Sequence, residues 1–154
     1  MTRTATEHDI PELVHLRAQL FDDLGGDFFN PADAGDHWRD ALARVFKQKL
    51  TEPDCQILVV DGDTGLAACG IGTIEQWFPG PHSRNGRIGH VIGMVTDPSY
   101  RRRGHGRAIM LGLLDRFRDR DAVRVDLTAS HEAEALYRQL GFSGHPDPLL
   151  CWKP

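Results

Sequence analysis

The sequence predicts an α/β (α+β) domain on a mixed sheet, and three observations predict it. Apolar residues recur at helical spacing in two separate segments before residue 51. Short β-branched runs broken by turn residues follow, and beyond Pro98 helical and strand patterns alternate. A chain of 154 residues suits one core, with 40% hydrophobic and 26% charged residues close to globular averages, so a single domain over 1–154 is expected.

The elements follow in order. Asp9, Ile10, Pro11 and Glu12 read as a helix start, because aspartate caps, proline is tolerated in the first turn and a glutamate three residues after the cap completes a box. Ile10, Leu13, Val14, Leu20 and Phe21 form the apolar face of that helix. Gly25, Gly26, Asn30, Pro31 and Gly35 interrupt it, and Trp38, Leu42, Val45, Phe46 and Leu50 resume the helical period. The run 57–60, closed by Asp61, Gly62 and Asp63, reads as one arm of a hairpin, with 66–77 as the other. In 88–96, Ile88, His90, Ile92 and Met94 alternate with Gly89, Val91, Gly93 and Val95, a strand expected to be buried on both faces.

A helix is expected from near Arg103, with Ala108, Ile109, Leu111, Leu113, Leu114 and Phe117 on its apolar side, and a strand at 122–127. Ser130 is placed to cap a further helix that carries Ala133, Leu136, Tyr137 and Leu140 and stops at Gly141. Residues 149–153 read as a last strand.

Composition narrows the function classes. No apolar stretch approaches the roughly 20 residues of a spanning helix, and the polar start lacks the basic and apolar regions of a secretory signal, so a cytoplasmic location is expected. Cys55, Cys69 and Cys151 lack the paired spacing of a metal site, and none is expected. A formal net charge of −4 disfavours a general nucleic-acid binder.

The stretch with chemical content is the strand around Thr96 running through Asp97, Pro98, Ser99 and Tyr100 into Arg101, Arg102, Arg103, Gly104, His105, Gly106 and Arg107, then a helix. Strand, glycine loop and helix make an anion site: glycines admit tight turns and close approach, and first-turn amides with the positive helix end face the guest. The spacing fits neither a Walker loop nor a dinucleotide fingerprint. Taken alone, two glycines in a basic run read more readily as packing beside a solvated charge run.

In context, the sequence resembles the GNAT superfamily of acyl-CoA-dependent N-acyltransferases, whose signature places arginine or glutamine three residues before the first glycine of Gly-x-Gly/Ala, after a strand and a proline turn. Arg101, Gly104 and Gly106 match it, and downstream Ala133, Leu136, Tyr137, Leu140, Gly141 and Phe142 match a second element of the family. The resemblance covers 88–142 and departs at Ser130, which stands where the family often has asparagine and would make the polar contact near the coenzyme.

The resemblance implies a mostly antiparallel sheet splayed at two central parallel strands, flanked by about four helices, with acetyl-CoA in the gap. It implies that Met94, Val95 and Thr96 offer main chain to the pantetheine arm and thioester. Amides at 102–107 would cradle the pyrophosphate, and Tyr137 would protonate the leaving sulfur. His90, Glu75 or a water chain would then take the proton from the attacking amine. The expected activity is acetyl transfer to a primary amine of a small molecule in a ternary complex. Protein N-terminal or lysine acetylation and a non-catalytic acyl-CoA sensor are the alternatives. Asp22, Asp23, Asp27, Asp33 and Asp36, with Phe28, Phe29, Trp38, Trp77 and Phe78, would suit a cationic acceptor or be ordinary loop acids and core aromatics. A homodimer is common in the family, with Trp152 on the terminal strand as a candidate contributor.

Overall fold

The computed structural model describes residues 1–154. Strands β1 (Thr2–Thr4), β2 (Cys55–Asp61), β3 (Leu66–Gln76), β4 (Arg87–Thr96) and β5 (Arg124–Leu127) lie side by side in that order. The pairings from β1 to β4 are antiparallel, and β4 with β5 is parallel. The helices are α1 (Ile10–Leu24), α2 (Gly26–Phe29), α3 (His37–Lys49), α4 (His105–Asp119) and α5 (Glu134–Gln139). This is the mixed, mostly antiparallel sheet that the sequence predicts.

Each face of the sheet has its own core. On one, Leu13 and Leu16 of α1 and Phe46 of α3 pack on Ile57, Val59, Cys69, Ile71 and Val95. On the other, Ile109, Met110, Leu113 and Phe117 of α4, joined by Tyr137 of α5, pack on Leu58, Val60, Ala68 and Ile74. The alternation of side chains along β2 sends Val59 one way and Leu58 the other, so the strand is buried on both sides.

The polar opening of the chain hides a strand. Thr2, Arg3 and Thr4 pair with Val60, Val59 and Leu58, and Arg3 forks onto Asp9 at 2.8 and 2.9 Å and onto Asp61 at 2.7 and 2.8 Å. Asp9 also accepts from the Thr6 amide at 2.8 Å. The reciprocal pair at the helix entry is therefore Thr6 with Asp9, one turn earlier than the expected Asp9 with Glu12.

The simple alternation expected in β4 fails at Ile92. Ile71 pairs with Gly93 but Gly72 pairs with Val91, so Ile92 is an extra residue, a bulge. Before it, Gly89 and Val91 face α4; after it, Met94 faces α4 while Gly93 and Val95 face α1. The expected burial on both faces is corrected too, since Ile92 is 50% exposed.

The terminal strand is absent. Residues 143–154 form no helix or strand, and Leu149, Leu150 and Trp152 are exposed. Pro146, Pro148 and Pro154 each lack a ladder donor, and no strand lies beyond β5, which is consequently an edge and not a central strand.

Candidate active site

A gap in the ladder begins at the bulge. All of β5 pairs with β4, from Ile88 opposite Arg124 to Val91 opposite Leu127, and β4 continues to Thr96 with no strand beside it on that side. Where one strand outruns its neighbour, the main chain on that edge is left without a strand partner. The Asp97 amide donates to Ala67 of β3 at 2.8 Å. By antiparallel alternation Val95 is then hydrogen-bonded to its partner Cys69, while Met94 and Thr96 turn their main-chain groups to the β5 side. The gap-facing groups near Val95 are those of its two neighbours.

Beyond Thr96 the backbone builds the anion loop. Asp97 accepts from the Ser99 amide at 2.8 Å and opens a short 3-10 turn, Pro98–Tyr100. Arg102 (φ 64°) and Gly104 (φ 80°) are both left-handed, and Gly104 caps α4, which starts two residues later than the Arg103 expected from the sequence. The first α4 bond runs from the Ala108 amide to the Gly104 carbonyl at 3.0 Å. None of the amides of residues 101–107 donates to an acceptor within the chain.

Free amides and open space are what an anion such as a pyrophosphate would need here. A Cβ on Gly104 would meet nothing within 4 Å, so glycine is needed there for its backbone angle, and the side facing the loop is open. A Cβ on Gly106 would touch Leu136 at 3.7 Å and Met94 at 3.9 Å, which brings α4, α5 and β4 together around the helix start. The arginine side chains serve the loop's shape. Arg101 binds Asp23 of α1 at 2.6 Å and reaches the Thr96 carbonyl at 3.3 Å, and the guanidinium of Arg103 lies 5.2 Å from the centre of the Tyr100 ring. Arg102 and Arg107 are exposed and His105 is half-buried.

Ser130 accepts from the Ala133 amide at 3.3 Å, a turn that precedes α5. The helix it was expected to cap begins only at Glu134, with Ala133 as the flanking residue. Tyr137 of α5 is buried, and burial pushes its phenol above the ordinary value, so it holds its proton throughout the neutral range.

The structure brings the two expected bases together. His90 Nε2 lies 3.9 Å from Glu75 Oε1 and is buried without a hydrogen-bond partner. Trp77 stands beside both, its indole nitrogen donating to Glu75 Oε2 at 3.0 Å and its ring centre 5.5 Å from the imidazole. Register puts His90 opposite Asp126, which holds Arg124 by two bonds of 3.0 and 3.1 Å.

Of the acids expected near an acceptor, Asp22 accepts from Asn30 at 3.0 Å, Asp23 holds Arg101, and Asp27, Asp33 and Asp36 are exposed. Among the aromatics, Trp38 packs edge-on against Phe21 at 5.6 Å, Phe28 meets Phe29 at 4.8 Å, and Phe78 is 94% exposed. Sequence reasoning missed Arg17. Its position continues the spacing of Ile10, Leu13 and Val14, so a charged residue sits on the apolar stripe of α1, and that was the available signal. Its Nη1 is buried without a partner and stands 2.5 Å from where a Cβ on Gly93 would lie.

Comparison with known proteins places these features in a family. The model of the acetyltransferase (GNAT) family matches residues 17–142. Glucosamine 6-phosphate N-acetyltransferase of Trypanosoma brucei brucei is 33% identical over 76 residues, covering 49% of this chain and 52% of that protein. Glucosamine 6-phosphate N-acetyltransferase 1 of Oryza sativa subsp. japonica is 33% identical over 87 residues, 56% of this chain and 51% of its own length. The matches thus span about half of these relatives. Among solved structures, a predicted acetyltransferase with acetyl-CoA from Clostridium acetobutylicum superposes with a TM-score of 0.85 at 22% identity over 98% of this chain and 94% of its own. Glucosamine-6-phosphate N-acetyltransferase from Arabidopsis thaliana does so with a TM-score of 0.76 at 22% identity, over 99% and 97%. These superpositions establish the fold, and the family model, together with the glycine loop and the Tyr137 helix, establishes that the chain belongs to the GNAT acetyltransferase family.

Proposed function

We propose that the chain transfers an acetyl group from acetyl-CoA to the primary amine of a small molecule. The observation that carries this reading is the run of unpartnered amides at 101–107, ending on a helix start, beside the stretch of β4 that runs on past the end of β5. Acetyl-CoA, when bound, supplies an activated acyl thioester. The loop amides hold its pyrophosphate, and the main chain of Met94 and Thr96 lines the gap for its pantetheine arm. A gap-facing amide on this stretch stabilises the oxyanion that forms when an amine attacks the carbonyl.

His90 takes the proton that the attacking nitrogen must lose, and Glu75 at 3.9 Å favours the resulting imidazolium. Tyr137, kept protonated by burial, donates to the departing sulfur. The named activity of the Trypanosoma and Oryza relatives supports a small amine over a protein acceptor.

The test is thiol release from acetyl-CoA across amino sugars, amino acids, aryl amines and peptides. Amine-dependent release is expected, falling about 100-fold in Tyr137→Phe with acetyl-CoA affinity unchanged. Release that ignores the amine, or an undiminished rate in that variant, would remove the reading or the role of Tyr137 respectively.

A further inference from the structure

Arg17 is a charged group with nothing to balance it. Its Nη1 is buried and unpartnered, and burial pulls its pKa down from the ordinary value. The side chain lines a cavity of about 380 Å³ between the sheet and the α1 and α3 helices. It also lines a second cavity of about 450 Å³ that extends past Phe21 and Phe29 toward α2. The carboxylates of the first cavity are committed elsewhere: Glu52 to Lys49 at 3.0 Å, Asp54 to Arg87 at 3.1 Å, and Glu75 to Trp77 at 3.0 Å. Cys69 is near enough to influence Arg17, but burial pushes its thiol up to about 12, so it is neutral and offers no counter-charge. The Phe21 ring, 5.1 Å from the guanidinium carbon, covers a face of the group and satisfies none of its N–H bonds.

An unpaired guanidinium inside a protein is costly unless something completes it, and its planar fork matches a carboxylate or a phosphate. Its location gives that match a purpose. Arg17 reaches Gly93, next to the bulge past which β4 runs on without β5 beside it. His90, the other buried unpartnered nitrogen on this side of β4, lies just before the bulge. We propose that Arg17 receives an anionic group of the acceptor, so that the substrate is an amine that also bears a carboxylate or a phosphate. This rests on the acetyl-transfer reading above. The proton-accepting His90 and the anion-holding Arg17 then flank the point of transfer and orient the amine between them.

The experiment uses acceptor pairs that differ only in the anion: glucosamine 6-phosphate against glucosamine, and phenylalanine against its amide. The parent should prefer the anionic member of at least one pair, and which pair responds tells phosphate from carboxylate. In Arg17→Met, kcat/KM for that member should fall about 10–100-fold, the size of a lost charge-assisted contact. Its neutral partner should lose much less, Arg17→Lys should fall between, and acetyl-CoA affinity should stay at the parent value in both variants. No preference in the parent, a preference that survives in Arg17→Met, or a loss of acetyl-CoA affinity there would overturn the proposal. A readout without turnover separates its failure from that of the activity. Glucose 6-phosphate and 3-phenylpropionate, which have no amine, are titrated calorimetrically into parent and Arg17→Met. Binding by the parent of either probe, lost in the variant, supports the anion site even where no amine is acetylated, and no binding of either by the parent overturns it.

Discussion

The two faces of the sheet are built to opposite ends. On the α4 face, glycines of the sheet receive side chains of the helix. Gly70 lies under Ile109, Gly72 and Gly89 lie under the Phe117 ring, and in return Gly112 of the helix lies over Leu58. On the α1 and α3 face the helices stand on Leu13, Leu16 and Phe46 but leave a cavity of about 380 Å³, an exposed Ile92 and the unpartnered nitrogens of Arg17 and His90. A filled interface fixes the loop at the head of α4, and an open one keeps a cavity lined in part by polar groups. The difference teaches that one side of the sheet is packed to hold the loop and Tyr137 in place, while the other keeps open space beside unpartnered polar groups.

The strongest way to break that contrast is to remove the largest side chain from the filled face. Phe117 is 2% exposed and touches two glycines, so Phe117→Ala should cost about 3–5 kcal/mol in denaturant unfolding. Ile92→Ala, on the open face, should cost about 1 kcal/mol or less. Equal losses at the two positions would show that the faces are not mechanically distinct.

The reverse substitution sharpens the same contrast at smaller cost. A methyl added at Gly70 would press on the stiff, β-branched Ile109 with Leu113 at 3.3 Å beside it, so Gly70→Ala should lose about 1–3 kcal/mol. A methyl added at Gly93 would crowd only the far end of Arg17, at 2.5 Å, which can swing, and would meet Leu20 at an ordinary 3.7 Å, so Gly93→Ala should shift stability by about 0.5 kcal/mol or less. The displaced guanidinium makes a useful secondary readout, since acceptor use should change in Gly93→Ala while the unfolding midpoint stays put.

What the sequence disclosed divides along the same line. Most of the filled face follows from periodicity: Ile109, Leu113 and Phe117 repeat at helical spacing and are fully buried, whereas Ala108 and Leu111, expected beside them, are exposed and Met110, not expected there, is fully buried. The anion loop is legible because left-handed backbone calls for glycine, as at Gly104, and because proline and aspartate punctuate the strand end. The open face was opaque for physical reasons. A bulge moves side chains from one face to the other without changing composition, so Ile92 reads as one more alternating apolar residue. Arg17 was hidden by the habit of reading a charge in a helix as solvated. The apolar run at 149–152 reads as a strand, but strands need partners, and β5 offers an edge that the proline-flanked tail does not join.

A last, smaller effect lies where the sheet edge is tied to the entry of α1 on the open face. Arg3 of β1 binds Asp9 at the entry to α1 and Asp61 at the end of β2. Its hydrogen bonds hold both carboxyls below their ordinary values. A carboxyl with a lowered folded pKa adds stability that is complete above its unfolded value and disappears as pH falls through the folded one. The tie should therefore hold at neutral pH and fade below about pH 4, the ordinary range for aspartate. Arg3→Ala should lower neutral-pH stability by about 1 kcal/mol or less, the upper range for a pair this exposed, and its deficit against the parent should shrink as pH is lowered toward 3. Thermal melts of both proteins between pH 7 and pH 3 decide it, and a deficit that stays constant through the acid range would show that Arg3 acts by packing against its neighbours and not by charge.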